Sequence, residues 1–459
     1  MFLALLMTAV PLAGCLSDDT AGDETELNAA DERIAELEAQ AETDQARIAE
    51  LEELCCTLEE MTVQYQYGYD IGYDDAYNEG IDNQDLYWYY GYDAGYELGL
   101  AAAGGGPSTL DTILARGSMK CGVKESQYGM GYMDAGTGIR SGLDIDYCRA
   151  IAAAIGLNPD TDVEYIPASG SDRFDKLASG TIDVLIRTTT WTTSRDADLN
   201  ADFAGTNFFD GQGILVREDA FPADLAGNSA SALHNAKICV GIGTTTEGNM
   251  VDWFSSRDIS FTSVPVSDSA EATAKFMDGS CDAFTGDMSA MVAKKWQLDG
   301  DSSMNGVDIW IAQELLSKEP LAAVTRDYDS EWNEIVGWVW WGMITAEEMG
   351  VTSTNYASMA SDACSPSEGG WGASDPSMCR LLTENLGLGT TENPLAGDWM
   401  QAVLATAGNY GEAYDDAFCD GTYDGVSGSV AMSGCLISRV GTLNALVSEG
   451  GLQYSPPMR

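Results

Sequence analysis

Two ten-residue stretches constrain this chain more than any other feature. LASGTIDVLI at 177–186 and FMDGSCDAFT at 276–285 are one phrase written twice: a helix end, a glycine stop, a short turn, an aspartate and an apolar strand. The elements around each phrase correspond as well. Residues 119–123 (MKCGV), 163–166 and 182–186 read as strands, with helices over 144–155 and 174–179 between them. Further on, 236–241 (AKICVG), 264–266 and 281–285 read as strands, with one helix opened by GTTTEGNM at 243–250 and another over 270–277. Alternation of this kind predicts a parallel sheet covered by helices. Its duplication predicts two similar α/β lobes with a cleft between them, faced by the loops that follow corresponding strands.

Those loops carry the candidate chemistry. After the first phrase comes TTTWTTSR, 188–195, which offers the hydroxyls of Thr188 and Thr190 and the guanidinium of Arg195. A planar guanidinium fork can bridge a carboxylate. In the second lobe, Thr244 to Glu247 fits the T-x-x-E capping box. This places Thr244 and Thr245 at a helix start whose free N–H groups and positive dipole end point into the cleft. Asp287 follows the second phrase and adds a carboxylate. Arginine, hydroxyls, a helix N-terminus and a carboxylate together match a zwitterion, with carboxylate to Arg195 and ammonium to Asp287. Trp191, at the centre of its loop, is assigned to packing beneath it.

Composition narrows the class. With 22 Lys and Arg against 73 Asp and Glu the formal charge is −51, which repels nucleic acid and anionic lipid surfaces alike. Self-repulsion on this scale suits a salty medium, where charge is screened within a few ångströms. Eleven cysteines with one histidine and no CxxC spacing do not suggest a metal site, and no cofactor is expected. That histidine, His234, has no serine or cysteine motif beside it, so an enzyme is not expected.

The first hundred residues belong to a different design. Residues 1–15 are a short apolar run ending Leu12-Ala13-Gly14-Cys15, similar to a lipoprotein signal whose lipobox leaves Cys15 to carry lipid, although no Lys or Arg precedes the run. A polar tether over 16–26 leads to a heptad over 27–62, with Leu27, Ile34, Ala41, Ile48 and Cys55 on one core set and Ala30, Leu37, Asp44, Leu51 and Leu58 on the other. A parallel coiled coil, bridged through Cys55 or Cys56, is the expectation; a single solvated helix would carry the same pattern. Residues 63–106 are rich in Tyr and Gly at spacings of four, read as a helical hairpin or a linker, and AAAGGGPS at 101–108 marks a boundary.

From about residue 108 to the end, STLDTILARG, DIDYCRAIAAAIG, TTTWTTSRD, DFAGTNFFDGQG, GTTTE, LLSKEPL, ITAEEMGVTS, GNYGEAYDDAF and LQYSPPMR resemble the general L-amino-acid-binding periplasmic proteins of ABC transporters, in the polar-amino-acid-binding superfamily. The resemblance implies a two-lobed, periplasmic-binding-protein-like fold of type II, with lobe one over 107–214, lobe two over 215–318, and 319–459 returning to lobe one and a C-terminal extension. Hinge crossovers are expected near 211–216 and 317–324. It implies an extracytoplasmic receptor that delivers free L-amino acids to permease subunits; a ligand sensor or surface scaffold would use the same site. In that family pattern Arg195 holds the ligand carboxylate, Thr188, Thr190 and Thr245 line it, Asp287 takes the ammonium, and an aromatic covers it, with Tyr132 matching best and Tyr128 second. Arg187 agrees with the closer family without an assigned role. Cys121, Cys148, Cys239 and Cys281 fit the family pattern, two to a lobe, and are paired within lobes. Cys364 with Cys379, and Cys419 with Cys435, each close a short loop, the first around an insertion over 363–379.

Overall fold

The structure is a computed structural model that describes residues 108–199, 201–367, 372–419 and 435–459. The lipobox with Cys15, the tether, the heptad with Cys55 and Cys56, and the Tyr/Gly tract lie outside the described residues, as does the middle of the 363–379 insertion.

The duplicated phrase folds as two halves of one sheet. The first half contains β1 (Met119–Val123), the small strands β2 (Ser126–Gln127), β3 (Gly131–Met133) and β4 (Arg140–Ser141), then β5 (Val163–Pro167) and β6 (Val184–Leu185). A 17-residue strand, β7 (Ala201–Arg217), leaves it. The second half contains β8 (Ala236–Gly241), β9 (Phe261–Val266), β10 (Ala283–Asp287) and β11 (Ile309–Ile311), and β12 (Lys318–Arg326) returns. The order is β5-β1-β6-β12-β7-β10-β8-β9, with β11 also on β7, and β2-β3-β4 form a separate antiparallel sheet. Pairs β1–β5, β1–β6, β8–β9 and β8–β10 are parallel, as the strand–helix alternation requires.

The aspartate of each phrase has one job, done twice. Asp183 takes the Lys120 N–H on its carboxylate at 2.7 Å while its own N–H donates to the Lys120 carbonyl at 2.8 Å. Asp282 does the same with Lys237, at 2.8 Å in both bonds. Each aspartate therefore pins the register of the incoming strand against the first strand of its lobe. The helix before each phrase stops at a glycine in the left-handed region, Gly180 at φ +70° and Gly279 at φ +80°, where a side chain would be strained.

The two halves are joined by β7 and β12. From Ala201 to Gly211, β7 pairs with β12; from Gln212 to Val216 it pairs with β10. The exchange falls at Gly211, where a Cβ would come 2.9 Å from Leu315 Cδ2 and 3.0 Å from the Ser317 carbonyl, so only glycine passes without displacing that chain. Helices from the C-terminal part close over the first half. Ser330–Glu348 brings Trp332 and Trp340 into its core, and Trp399–Ala407 packs on Leu143–Ala154, eleven of whose twelve residues are buried. The alanines of that helix allow the close approach. The second half has its own cores, one on each face of its strands, around Phe254 and Phe276.

Among the described residues there are four disulfides, in the pairings expected: Cys121–Cys148, Cys239–Cys281, Cys364–Cys379 and Cys419–Cys435. The first ties β1 to the helix Leu143–Ala154, and the second ties β8 to the turn before β10.

Candidate functional site

The carboxyl ends of the parallel strands meet at the junction of the two halves, and a cavity of about 920 Å³, its open mouth included, lies there. Each strand end contributes a charged or polar residue to it: Lys124 after β1, Gly170 to Arg173 after β5, Arg187 after β6, Gly241 to Thr246 after β8, and Asp287 at the end of β10. This is the position at which open α/β sheets bind ligands, because the strand carbonyl ends and the helix N-termini converge there.

The lobes touch across the cavity on both sides. Gln127 Nε2 of β2 donates to Ser289 Oγ in the second half at 2.9 Å. On the other rim Gly170 lies so near the second half that a Cβ would stand 3.1 Å from the Ile242 carbonyl and from Thr244 Cγ2.

Inside, cations outnumber carboxylates. Lys124, Arg173, Arg187 and Lys294 line the cavity against Asp268 and Asp287, although the chain has only 22 basic residues. Burial lowers the pKa of Lys124 to about 8, assisted by the Arg187 charge and opposed by Asp287. Burial alone lowers Lys294 to about 8. Burial also works against the charge on Arg173 and Arg187, and Asp287 counters it at both. Asp287 is thus the carboxylate shared by three buried cations. It stands at the start of the helix Met288–Leu298 without capping it.

Three polar atoms around the cavity are buried with no hydrogen-bond partner: Arg173 Nε, Arg187 Nε and Thr188 Oγ1. Buried polar atoms are nearly always paired, so an unpaired group of them marks a place where something else supplies the partner. Thr188 is also held at φ +44°, unusual for a β-branched residue, with its N–H 3.2 Å from Asp144 Oδ2. Asp144 is itself raised to about 6 by burial.

Thr188, Thr190, Thr244, Thr245, Arg187 and Asp287 all line the cavity. Several residues stand differently from the positions expected of them. Arg195 flanks the cavity without lining it; its guanidinium donates from Nη1 to the Thr190 carbonyl at 2.9 Å and lies 5.6 Å over the Phe174 ring. The reason is local: Thr192 caps the helix Thr193–Asp198, which turns Arg195 inward beneath the loop. Tyr128, not Tyr132, lines the cavity, with the Tyr132 ring tilted against it at 4.2 Å and Trp296 of the second half edge-on at 5.2 Å. Thr244 precedes the helix Thr245–Ser255 but does not cap it, because its hydroxyl donates back to the Gly241 carbonyl at 2.7 Å. The helix start is therefore left without a side-chain cap, which suits an anion better than a capping box would. Trp191 stacks one face on Phe203 at 5.4 Å but is 38% exposed, so it is not buried beneath its loop as expected.

With this geometry in view, the similarity to known proteins is specific. Residues 119–296 match the family described as bacterial extracellular solute-binding proteins, family 3. The glutamate/glutamine/aspartate/asparagine-binding protein BztA of Rhodobacter capsulatus is 36% identical over 360 residues, 78% of this chain and 96% of that protein. The chain belongs to this solute-binding family. The general L-amino acid-binding periplasmic protein AapJ of Rhizobium johnstonii is 35% identical over 79% of this chain and 96% of its own length. A periplasmic binding protein of an ABC transporter from Brucella ovis, solved with glutathione bound, superposes with a TM-score of 0.66 at 35% identity, covering 77% of this chain and 100% of its own. All three of these relatives are named as binding proteins. As a member of an extracytoplasmic family, this solute-binding protein works outside the cytoplasm, and among its described residues no helix is long and apolar enough to cross a membrane.

Proposed function

We propose that this solute-binding protein takes one free L-amino acid between its lobes and delivers it to an ABC importer. The ligand carboxylate lies toward Arg187, and its ammonium toward Asp287. The unpaired Arg173 Nε, Arg187 Nε and Thr188 Oγ1 around the cavity carry this reading, because a carboxylate is the partner they lack. Similarity to named amino-acid-binding proteins along nearly their whole length supports it. Four lining cations against two carboxylates favour a ligand with a second carboxylate over one with a second ammonium.

Calorimetry with a panel of L-amino acids should find glutamate and aspartate bound most tightly, in the micromolar range or better, and lysine and arginine least. Arg187→Ala should weaken the best ligand roughly 100-fold, since removing one partner of a buried charge pair costs about 2–5 kcal/mol. Arg195→Ala should lose less, because it acts through the Thr190 loop. Failure of every amino acid to bind, or full affinity in Arg187→Ala, would overturn the assignment.

The lipobox and the heptad support a further part of the proposal: a lipid on Cys15 holds the receptor at the outer face of the membrane, and residues 27–62 pair in parallel with those of a second copy. The mass of the mature N-terminal peptide checks the anchor, and an unmodified peptide starting anywhere but Cys15 refutes it.

A further inference from the structure

Glu319 is a buried carboxylate behind the cavity lining. It lies in β12 beside the exchange point of the sheet, opposite Asp210 of β7, and is 1% exposed. It accepts four hydrogen bonds. On Oε2 it receives Thr190 Oγ1 from the first lobe and Thr245 Oγ1 from the second, the latter at 3.0 Å. On Oε1 it receives Asn249 Nδ2 at 2.7 Å, from the same helix as Thr245, and Ser317 Oγ from the crossover itself. Thr190 and Thr245 stand 3.5 Å apart across the lobe junction, and both line the cavity.

We propose that Glu319 is the positioning residue of the site: by collecting the hydroxyl protons of Thr190 and Thr245 from opposite lobes, it turns both oxygens toward the cleft as acceptors and couples lobe closure to a ligand ammonium. A hydroxyl has one proton to donate. With that proton committed to Glu319, each threonine offers only lone pairs to the cavity, which suit an ammonium and repel a carboxylate. The reverse arrangement, with the hydroxyls donating to a ligand carboxylate, would strip two donors from a buried carboxylate. Closure matters equally, since Thr190 moves with one lobe and Thr245 and Asn249 with the other. Only the closed arrangement gives Glu319 all its donors. Arg195 fits this account, because the Glu319 charge opposes the effect of burial on it, so its cation already has a carboxylate within the protein.

This proposal rests on the amino-acid reading of the cleft, and the test separates the two. The dissociation constant of the tightest-binding amino acid is measured for the full chain, Glu319→Gln, Thr190→Val and the double variant. The glutamine amide keeps only one accepting oxygen; with Asn249 and Ser317 holding it, the amide nitrogen faces the threonines and Thr190 turns its proton to the cleft. Thr190→Val should weaken binding about tenfold in the native background and less than about threefold in the Glu319→Gln background, the non-additivity of residues that act as one unit. Glu319→Gln should also shrink the preference for the amino acid over its des-amino analogue, read by competition, at least about fivefold, a change that a merely structural role would not produce. Should Glu319→Gln not fold, Glu319→Asp enters the same cycle. Additive losses, or an unchanged preference over the des-amino analogue, overturn the proposal while leaving the amino-acid reading intact. No binding by the unaltered chain rejects both.

Discussion

Asp287→Asn should weaken amino-acid binding by two orders of magnitude or more, the largest loss expected from any single change in the cleft. Asp287 is the one carboxylate that opposes burial at Lys124, Arg173 and Arg187 together, and it also acts on Arg195. Neutralising it removes the ammonium's partner and leaves the cations facing one another. Loss of one member of a buried charge pair costs about 2–5 kcal/mol, or roughly 30- to several-thousand-fold in affinity. Asp210 supplies a second readout. Burial and the Asp287 charge together raise its pKa to about 7, so the variant should bring Asp210 back toward the ordinary carboxylate range. Calorimetry gives the affinity, and carboxyl chemical shifts followed against pH give the titration. Full affinity in Asp287→Asn, with an unshifted Asp210, would remove the electrostatic account of the site.

Where local chemistry decides local structure, the sequence is a sufficient guide. The phrase at 177–186 and 276–285 is readable because each part obeys a short-range rule: a glycine at positive φ, an aspartate satisfying a neighbouring strand, a run of buried apolar residues. The same reasoning does not see β7. Its ADFAGTNFFDGQGILVR has three glycines and no sustained alternation, since it changes partner part-way along, and neither β12 nor β10 is near it in sequence. The β2-β3-β4 sheet was not read for a related reason, its strands being only two or three residues long.

The site divides the same way. Hydroxyls, helix start and Asp287 follow directly from position after a strand. Arg195 stands out in sequence as the guanidinium that closes the TTTWTTSR loop, whereas its packing depends on Thr192 capping a six-residue helix and on Phe174 from the helix Arg173–Ala178. A signal for the true lining cations was present: Lys124 and Arg187 are the first charged residues after β1 and β6, the place where Asp287 ends β10. Arg173 and Glu319 had no such marker. Each becomes part of the site only when β5 and β12 are laid beside strands far away in sequence, and Glu319 reaches the ligand only through two threonines from different lobes.

Removing Cys239–Cys281 by a double substitution to alanine should lower the stability of the lobes by about 4 kcal/mol, whereas removing Cys364–Cys379 should cost about 3 kcal/mol. The loops closed span 42 and 15 residues, and the entropy withheld from the unfolded chain grows with the logarithm of that span. For a unit of this size 4 kcal/mol corresponds to a fall of roughly 5 °C in Tm. The contrast should be sharper in reduction than in stability. Cys121, Cys148, Cys239 and Cys281 are wholly buried, while both peripheral pairs keep surface access. A thiolate must reach a sulfur to exchange with it, so mild reductant should open Cys364–Cys379 and Cys419–Cys435 and spare the two core bridges until the lobes unfold. Peptide-resolved alkylation reads this directly. Ligand binding should survive the first stage, since neither peripheral pair touches a strand end that bears the site. Early alkylation of Cys239 or Cys281 in the folded protein would show that the second lobe opens far more readily than its packed core implies.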